Sequence, residues 1–186
     1  MYPNFYSFTR EEDTDEVQYT FSTGNDIGVV VSFVHNEYDQ YLAEFPTLLE
    51  HGYSFGFMSK KFSLERSRKD DLVFSTIYQI IEDFVSEDAD KTTVLLYHCD
   101  TNDGRQECRN KLFSNWEQRV KETNLFKYSV EVEIQKPDDQ TLTTYYVGLI
   151  TFLDNPRIES VKEEFTRFCY YIVQPKNGNC NEVTDQ

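Results

Sequence analysis

Between Cys99 and Trp116 the chain reads CDTNDGRQECRNKLFSNW, and five of its side chains have the types and spacing for chemistry: Asp100, Asp103, Arg105, Gln106 and Arg109. Asp100 and Asp103 can hold a divalent cation, because hard cations prefer carboxylate oxygens. An EF-hand does not fit: its glycine would stand one position later than Gly104, and Lys111 takes the place of its closing glutamate. Arg105 and Arg109 lie one helical turn apart and can clamp a phosphate or a carboxylate through forked hydrogen bonds. The same residues also have local work. Asp103 can cap a helix, with Gln106 three positions on as a capping-box partner, and Asp100 can pair with either arginine.

A second candidate is electrostatic. Lys60, Lys61, Arg66, Arg68 and Lys69 form the one dense basic cluster in a chain of net charge −15. It reads either as an anion-binding loop or as a surface loop that balances the acidic background. Nucleophilic catalysis finds little support. His98 precedes Cys99, but neighbours on a strand point to opposite faces, so a thiol–imidazole pair would need His35 or His51 from elsewhere. Zinc needs closer ligand pairs than the cysteines at 99, 108, 169 and 180 provide. Free thiols in a reducing compartment are expected instead. With so many acids, a glycosidase-like carboxylate pair stays open without being marked by anything.

These residues must be positioned by the elements around them. Val17, Tyr19 and Phe21 alternate with polar neighbours, and Gly24–Asn25–Asp26 leads into a second strand, Ile27 to Phe33, so a β-hairpin is expected. Tyr38 to Leu49 suits a short helix or an irregular apolar loop, with Pro46 interrupting either. A third strand follows at Tyr53, Phe55 and Phe57. Val73, Ile77, Ile80, Ile81 and Phe84 predict a helix over 71–85, capped by Asp70 or Asp71. A buried strand at 94–99 then feeds a helix over 104–121, lined by Cys108, Leu112, Phe113, Trp116 and Val120. Alternation over 128–135 predicts a strand with one wet face; Pro137–Asp138–Asp139 turns it into a partner over 143–153. Asn155–Pro156 starts a final helix with the stripe Ile158, Val161, Phe165, Phe168 and Ile172.

The order β-β-β-α-β-α-β-β-α implies an α+β fold: a mixed, mostly antiparallel sheet with packed helices. At 186 residues one domain is expected over 1–173. The tail over 174–186 is polar and predicted to be disordered. Neither a signal peptide nor a membrane-spanning stretch is read in the sequence, so a cytoplasmic location is expected.

From the third strand onward the element order resembles the GCN5-related acyltransferases: strand, cofactor-facing helix, strand, helix, closing hairpin. That resemblance implies an acyltransferase-like fold. In those enzymes a glycine-rich turn of the type [RQ]-x-x-G-x-[GA] holds a coenzyme pyrophosphate at a helix N-terminus. The matching stretch here, KKFSLERSRKDD from Lys60 to Asp71, has no glycine, and Asp70 and Asp71 bring negative charge to that place. The C-D-x-x-D-G-R-Q-x-x-R-x-x-L-F-x-x-W stretch, after T-I-Y-Q-I-I at 76–81, resembles a small uncharacterised bacterial family, a domain of unknown function. This second resemblance implies a shared fold from the early strands to the final helix and a bacterial source, and no mechanism.

Acidity opposes direct nucleic-acid binding, because phosphates are repelled by a negative field. The expectation is therefore a non-enzymatic interaction protein that covers a basic surface on another protein, of an immunity or antitoxin type or a subunit of a bacterial defence system. No cofactor and no membrane contact are expected. The alternative is a degenerate acyltransferase-like protein that binds a small molecule or anion with the 60–69 loop and the turn from Asp100 to Arg109.

Overall fold

The computed structural model describes residues 5–35, 37, 39–60, 70–99, 106, 107, 110, 124–135 and 142–173. Among the described residues, seven strands form one sheet in the order β1-β2-β3-β4-β5-β7-β6. They are β1 Phe8–Glu12, β2 Glu16–Ser22, β3 Gly28–His35, β4 Gly52–Lys60, β5 Val94–His98, β6 Leu125–Gln135 and β7 Leu142–Phe152. Every neighbouring pair is antiparallel except β4 and β5, which run parallel. Helices α1 Asp39–Leu42 and α2 Pro46–His51 fall between β3 and β4, α3 Asp71–Val85 between β4 and β5, and α4 Ile158–Val173 after β7. The class is the expected α+β with a mostly antiparallel sheet.

Two apolar cores flank the sheet. On one face Tyr19, Val31, Phe33 and Phe55 meet Ile77, Ile80, Ile81 and Phe84 of α3. On the other, Leu96, Val147 and Leu149 meet Leu48 of α2 and Val161, Phe165 and Phe168 of α4. Alternation along each strand sends successive side chains to opposite faces, which is why β5 is buried on both and reads as an unbroken apolar run. Phe33 stacks on Phe84 with ring centroids 4.0 Å apart, fixing α3 against the sheet.

The expected order needs three corrections. First, a strand precedes the anticipated hairpin: Phe8, Arg10 and Glu12 pair with Phe21, Tyr19 and Val17. Its charges hide it in the sequence, since Arg10 turns toward the core face, lies 5.7 Å over the Tyr19 ring and donates to Glu87 beyond the end of α3. Second, Pro46 starts α2 rather than interrupting it, as proline does at a first helical position. Third, α4 begins at Ile158, past Pro156; the Asn155 side-chain carbonyl accepts the Arg157 amide at 2.7 Å and forms the turn before it. The predicted helix over 104–121 lies outside the described residues apart from Gln106, Glu107 and Asn110, which are helical. The predicted turn at 137–139 and the tail over 174–186 lie outside them too.

The turn from α3 into β5 is tied by Asp88. Burial pushes its carboxyl up, but hydrogen bonds from the Thr93 hydroxyl (2.7 Å) and amide (2.6 Å) and from the Asp90 amide outweigh that and hold it below the usual carboxylate range. Because the folded value is the lower one, this stabilisation is fully present above the unfolded value of about 3.9. It is lost as the pH falls through the folded value. Urea melts from pH 7 down to pH ~3 should show Asp88→Asn less stable at neutral pH and less sensitive to acid than the parent. Parallel curves for the two proteins would contradict the assignment.

Candidate functional site

The feature of the sheet that resembles a binding site is the place where its parallel strands part. β4 and β5 share only three register pairs, Gly52 with Val94, Tyr53 with Leu95 and Ser54 with Leu96. Beyond them β4 stays with β3 as far as Lys60, while β5 stays with β7 through His98. The Cys99 amide then donates to the Tyr146 carbonyl at 2.9 Å, so the chain follows β7 one residue further. Past the last shared pair, β4 runs on to Lys60 and β5 to His98.

Side chains around the split are aromatic on the α3 face: Phe55 and Tyr97 belong to that core, with Phe57 and Tyr146 packed against it. The Tyr97 ring lies directly on Gly148 of β7. A Cβ built at Gly148 would sit 2.2 Å from the tyrosine Cζ and hydroxyl oxygen, so only glycine leaves room. On the opposite face, a Cβ at Gly56 would meet nothing within 4 Å. Cys99 is buried and His98 exposed, as expected for neighbours in an extended chain whose side chains point to opposite faces. Cys169 is a free thiol, and burial pushes it up to about 12.

The other end of the basic stretch is closed by Asp70. One oxygen of its carboxylate accepts the Leu72 amide at 3.1 Å and caps α3; the other accepts the Tyr6 hydroxyl at 2.8 Å. The Tyr6 hydroxyl in turn accepts the Gly24 amide at 3.1 Å. A carboxylate of the protein thus occupies the helix terminus where a bound anion would sit. Replacing Asp70 with alanine should cost about 2–4 kcal/mol, one cap plus one hydrogen bond to a charged group, measurable by urea unfolding.

Of the residues expected to form sites, Gln106 is described: it is helical and half-buried, and its side-chain oxygen is buried without a hydrogen-bond partner among the described residues. Asp100, Asp103, Arg105 and Arg109 lie outside the described residues, as do Lys61, Arg66, Arg68 and Lys69; Lys60 is described as the last residue of β4. Among the described residues, no three His, Cys, Asp or Glu side chains are placed to hold a metal ion. A shallow, uncharged hollow of about 500 Å³ lies on β1–β3, lined by Ser7, Thr9, Thr20, Ser22, Gly28 and Val30 among others. Nothing in the sequence reading had marked it.

A family model matches residues 69–167, more than half of the chain. The chain belongs to DUF6169, a family of unknown function. The DUF6169 match runs from the residue before Asp70 through α3, β5, β6 and β7 into α4, and it includes the segment from Asp100 to Arg109. The strands β1–β4 precede it, so the likeness expected from the early strands onward is found from Lys69. No curated protein and no solved structure matches the DUF6169 chain. No described helix is long and apolar enough to cross a membrane.

Proposed function

We propose that this chain is a non-catalytic interaction protein built on an acyltransferase-like scaffold, and that it presents an acidic surface to a basic region of another protein. An immunity or antitoxin-type role, or a place in a bacterial defence assembly, suits that chemistry. The observation that carries this reading is how several cations among the described residues are used. Arg10 donates to Glu87 and Glu12, Lys91 to Asp154 and Lys162 to Glu159, and Lys127 is buried. Meanwhile Glu11, Asp13, Asp15, Asp26, Glu131 and Glu133 stand exposed. Among the described residues these exposed carboxylates outnumber the exposed cations, and in a chain of net charge −15 they favour steering of a cationic partner. The carboxylate cap on α3 and the glycine-free linker before it also disfavour a diphosphate grip. Co-purification from native extract at low and raised salt tests the proposal: a partner held at low ionic strength and released by salt is expected. No retained partner at low salt removes its basis.

The split between β4 and β5 favours a second reading, a small-molecule or anion binder that keeps the acyltransferase-like cleft without the chemistry. The 60–69 loop and the Asp100–Arg109 turn would contribute cations to it. Thermal-shift measurements with acyl-coenzyme A, nucleotides and simple phosphates separate the two readings. A stabilisation abolished by Arg66→Ala or Arg109→Ala favours the cleft, and no shift counts against it.

A further inference from the structure

We infer that the outer edge of β6 is a docking strand for an extended basic segment of a partner protein, which joins the sheet as an eighth strand. The inference rests on the acidic-interaction reading above and gives it a place on the molecule. The two edges of the sheet differ. β1 has five residues, and its Arg10 is engaged by Glu12 and Glu87, devices that blunt an edge. β6 has eleven residues and pairs with β7 in unbroken register from Leu125 with Phe152 to Gln135 with Leu142. Among the described residues no strand pairs with its other side. A long, regular edge of this kind offers its backbone donors and acceptors to an added strand.

Side chains give the added strand its chemistry. Ser129, Glu131 and Glu133 are exposed on one face of β6, two residues apart, so they line up along the edge. An added strand places every second side chain on that same face, opposite or diagonal to these carboxylates. Lysine or arginine at alternate positions meets Glu131 and Glu133. The intervening positions fall beside the half-buried Tyr128 and Val130 and favour apolar residues. Antiparallel self-pairing centred on Val132 sets Glu131 against Glu133, which disfavours a second copy of this chain at the same edge in that register.

The probes are a seven-residue Lys-Val-Lys-Val-Lys-Val-Lys peptide, its counterpart with glutamate for lysine, and a lysine peptide N-methylated at alternate residues so that one edge cannot donate. Fluorescence anisotropy at low salt should show the full protein binding the lysine peptide but not the glutamate or N-methylated ones. The double variant Glu131→Lys, Glu133→Lys should weaken the lysine peptide about tenfold and admit the glutamate peptide, with melting confirming that the variant folds. Equal binding of the methylated peptide overturns strand addition while leaving the acidic-surface reading standing. No binding of any cationic peptide overturns both. Concentration-dependent dimerisation that excludes the peptide also overturns the inference, since the edge then belongs to a second copy.

Discussion

Replacing Glu164 with alanine should unfold the protein at a lower temperature by roughly 6–12 °C, the shift that a loss of about 3 kcal/mol gives a chain of this size. Glu164 sits on the buried side of α4 at 9% exposure. Its carboxylate accepts the Thr47 amide at 2.9 Å, the Leu48 amide at 3.0 Å and the Thr47 hydroxyl at 2.8 Å. Those amides open α2, whose N-cap residue Phe45 makes no side-chain bond to them. A six-residue helix cannot hold itself in water, so its first turn depends on this carboxylate from the far end of the chain. Alanine removes the acceptor and strands three buried donors, each at a desolvation cost of about 1–3 kcal/mol before relaxation. Glutamine keeps the shape and one acceptor and should lose less; Thr47→Ala, which removes a single hydroxyl, should lose about 1 kcal/mol. Hydrogen exchange at Thr47 and Leu48 provides the local readout. Unchanged protection there in Glu164→Ala would contradict the assignment.

Gly148→Ala carries the second large effect. Gly148 lies in the middle of β7, paired with Tyr97 on one side and Ser129 on the other, so the backbone cannot swing away cheaply. The added methyl would enter the Tyr97 ring at 2.2 Å. Overpacking of this kind costs about 1–3 kcal/mol, and the outcome depends on whether the ring can move. The double variant Gly148→Ala, Tyr97→Leu removes the ring the methyl strikes. Its loss should fall short of the sum of the single losses, with a coupling of about 0.5–3 kcal/mol in a double-mutant cycle. Additive losses would show that the ring yields and that the glycine has another reason to be there.

The elements legible in the sequence were those whose periodicity is set by one apolar face. α3 was read at 71–85 because Val73, Ile77, Ile80, Ile81 and Phe84 recur at helical spacing, and Asp70 caps it as its type suggested. The β6–β7 hairpin was legible for the same kind of reason, and β5 because burial on both faces leaves an unbroken apolar run, with boundaries shifted by up to three residues. β1 was not, because its inward position is filled by Arg10, whose charge is neutralised by a residue 77 positions away. The Glu164 contact with α2 spans 117 positions, and its only local trace is an acid interrupting the stripe Val161, Phe165, Phe168. The parting of β4 from β5 depends on how far two separate strands stay in register, which no single segment encodes. The turn from Asp100 to Arg109 drew attention for its residue types. Of its five residues, only Gln106 is among those described, and its buried oxygen is consistent with the position mattering to the fold as much as to a ligand.

The central claim is that exposed carboxylates, and not a diphosphate grip, decide what this molecule meets. Its most direct test is retention of a native-extract partner on the immobilised protein across a salt series. The account predicts capture at low ionic strength that falls steeply as salt rises and weakens in Glu131→Lys, Glu133→Lys. An empty column at low salt, together with stabilisation of the pure protein by acyl-coenzyme A, would contradict it.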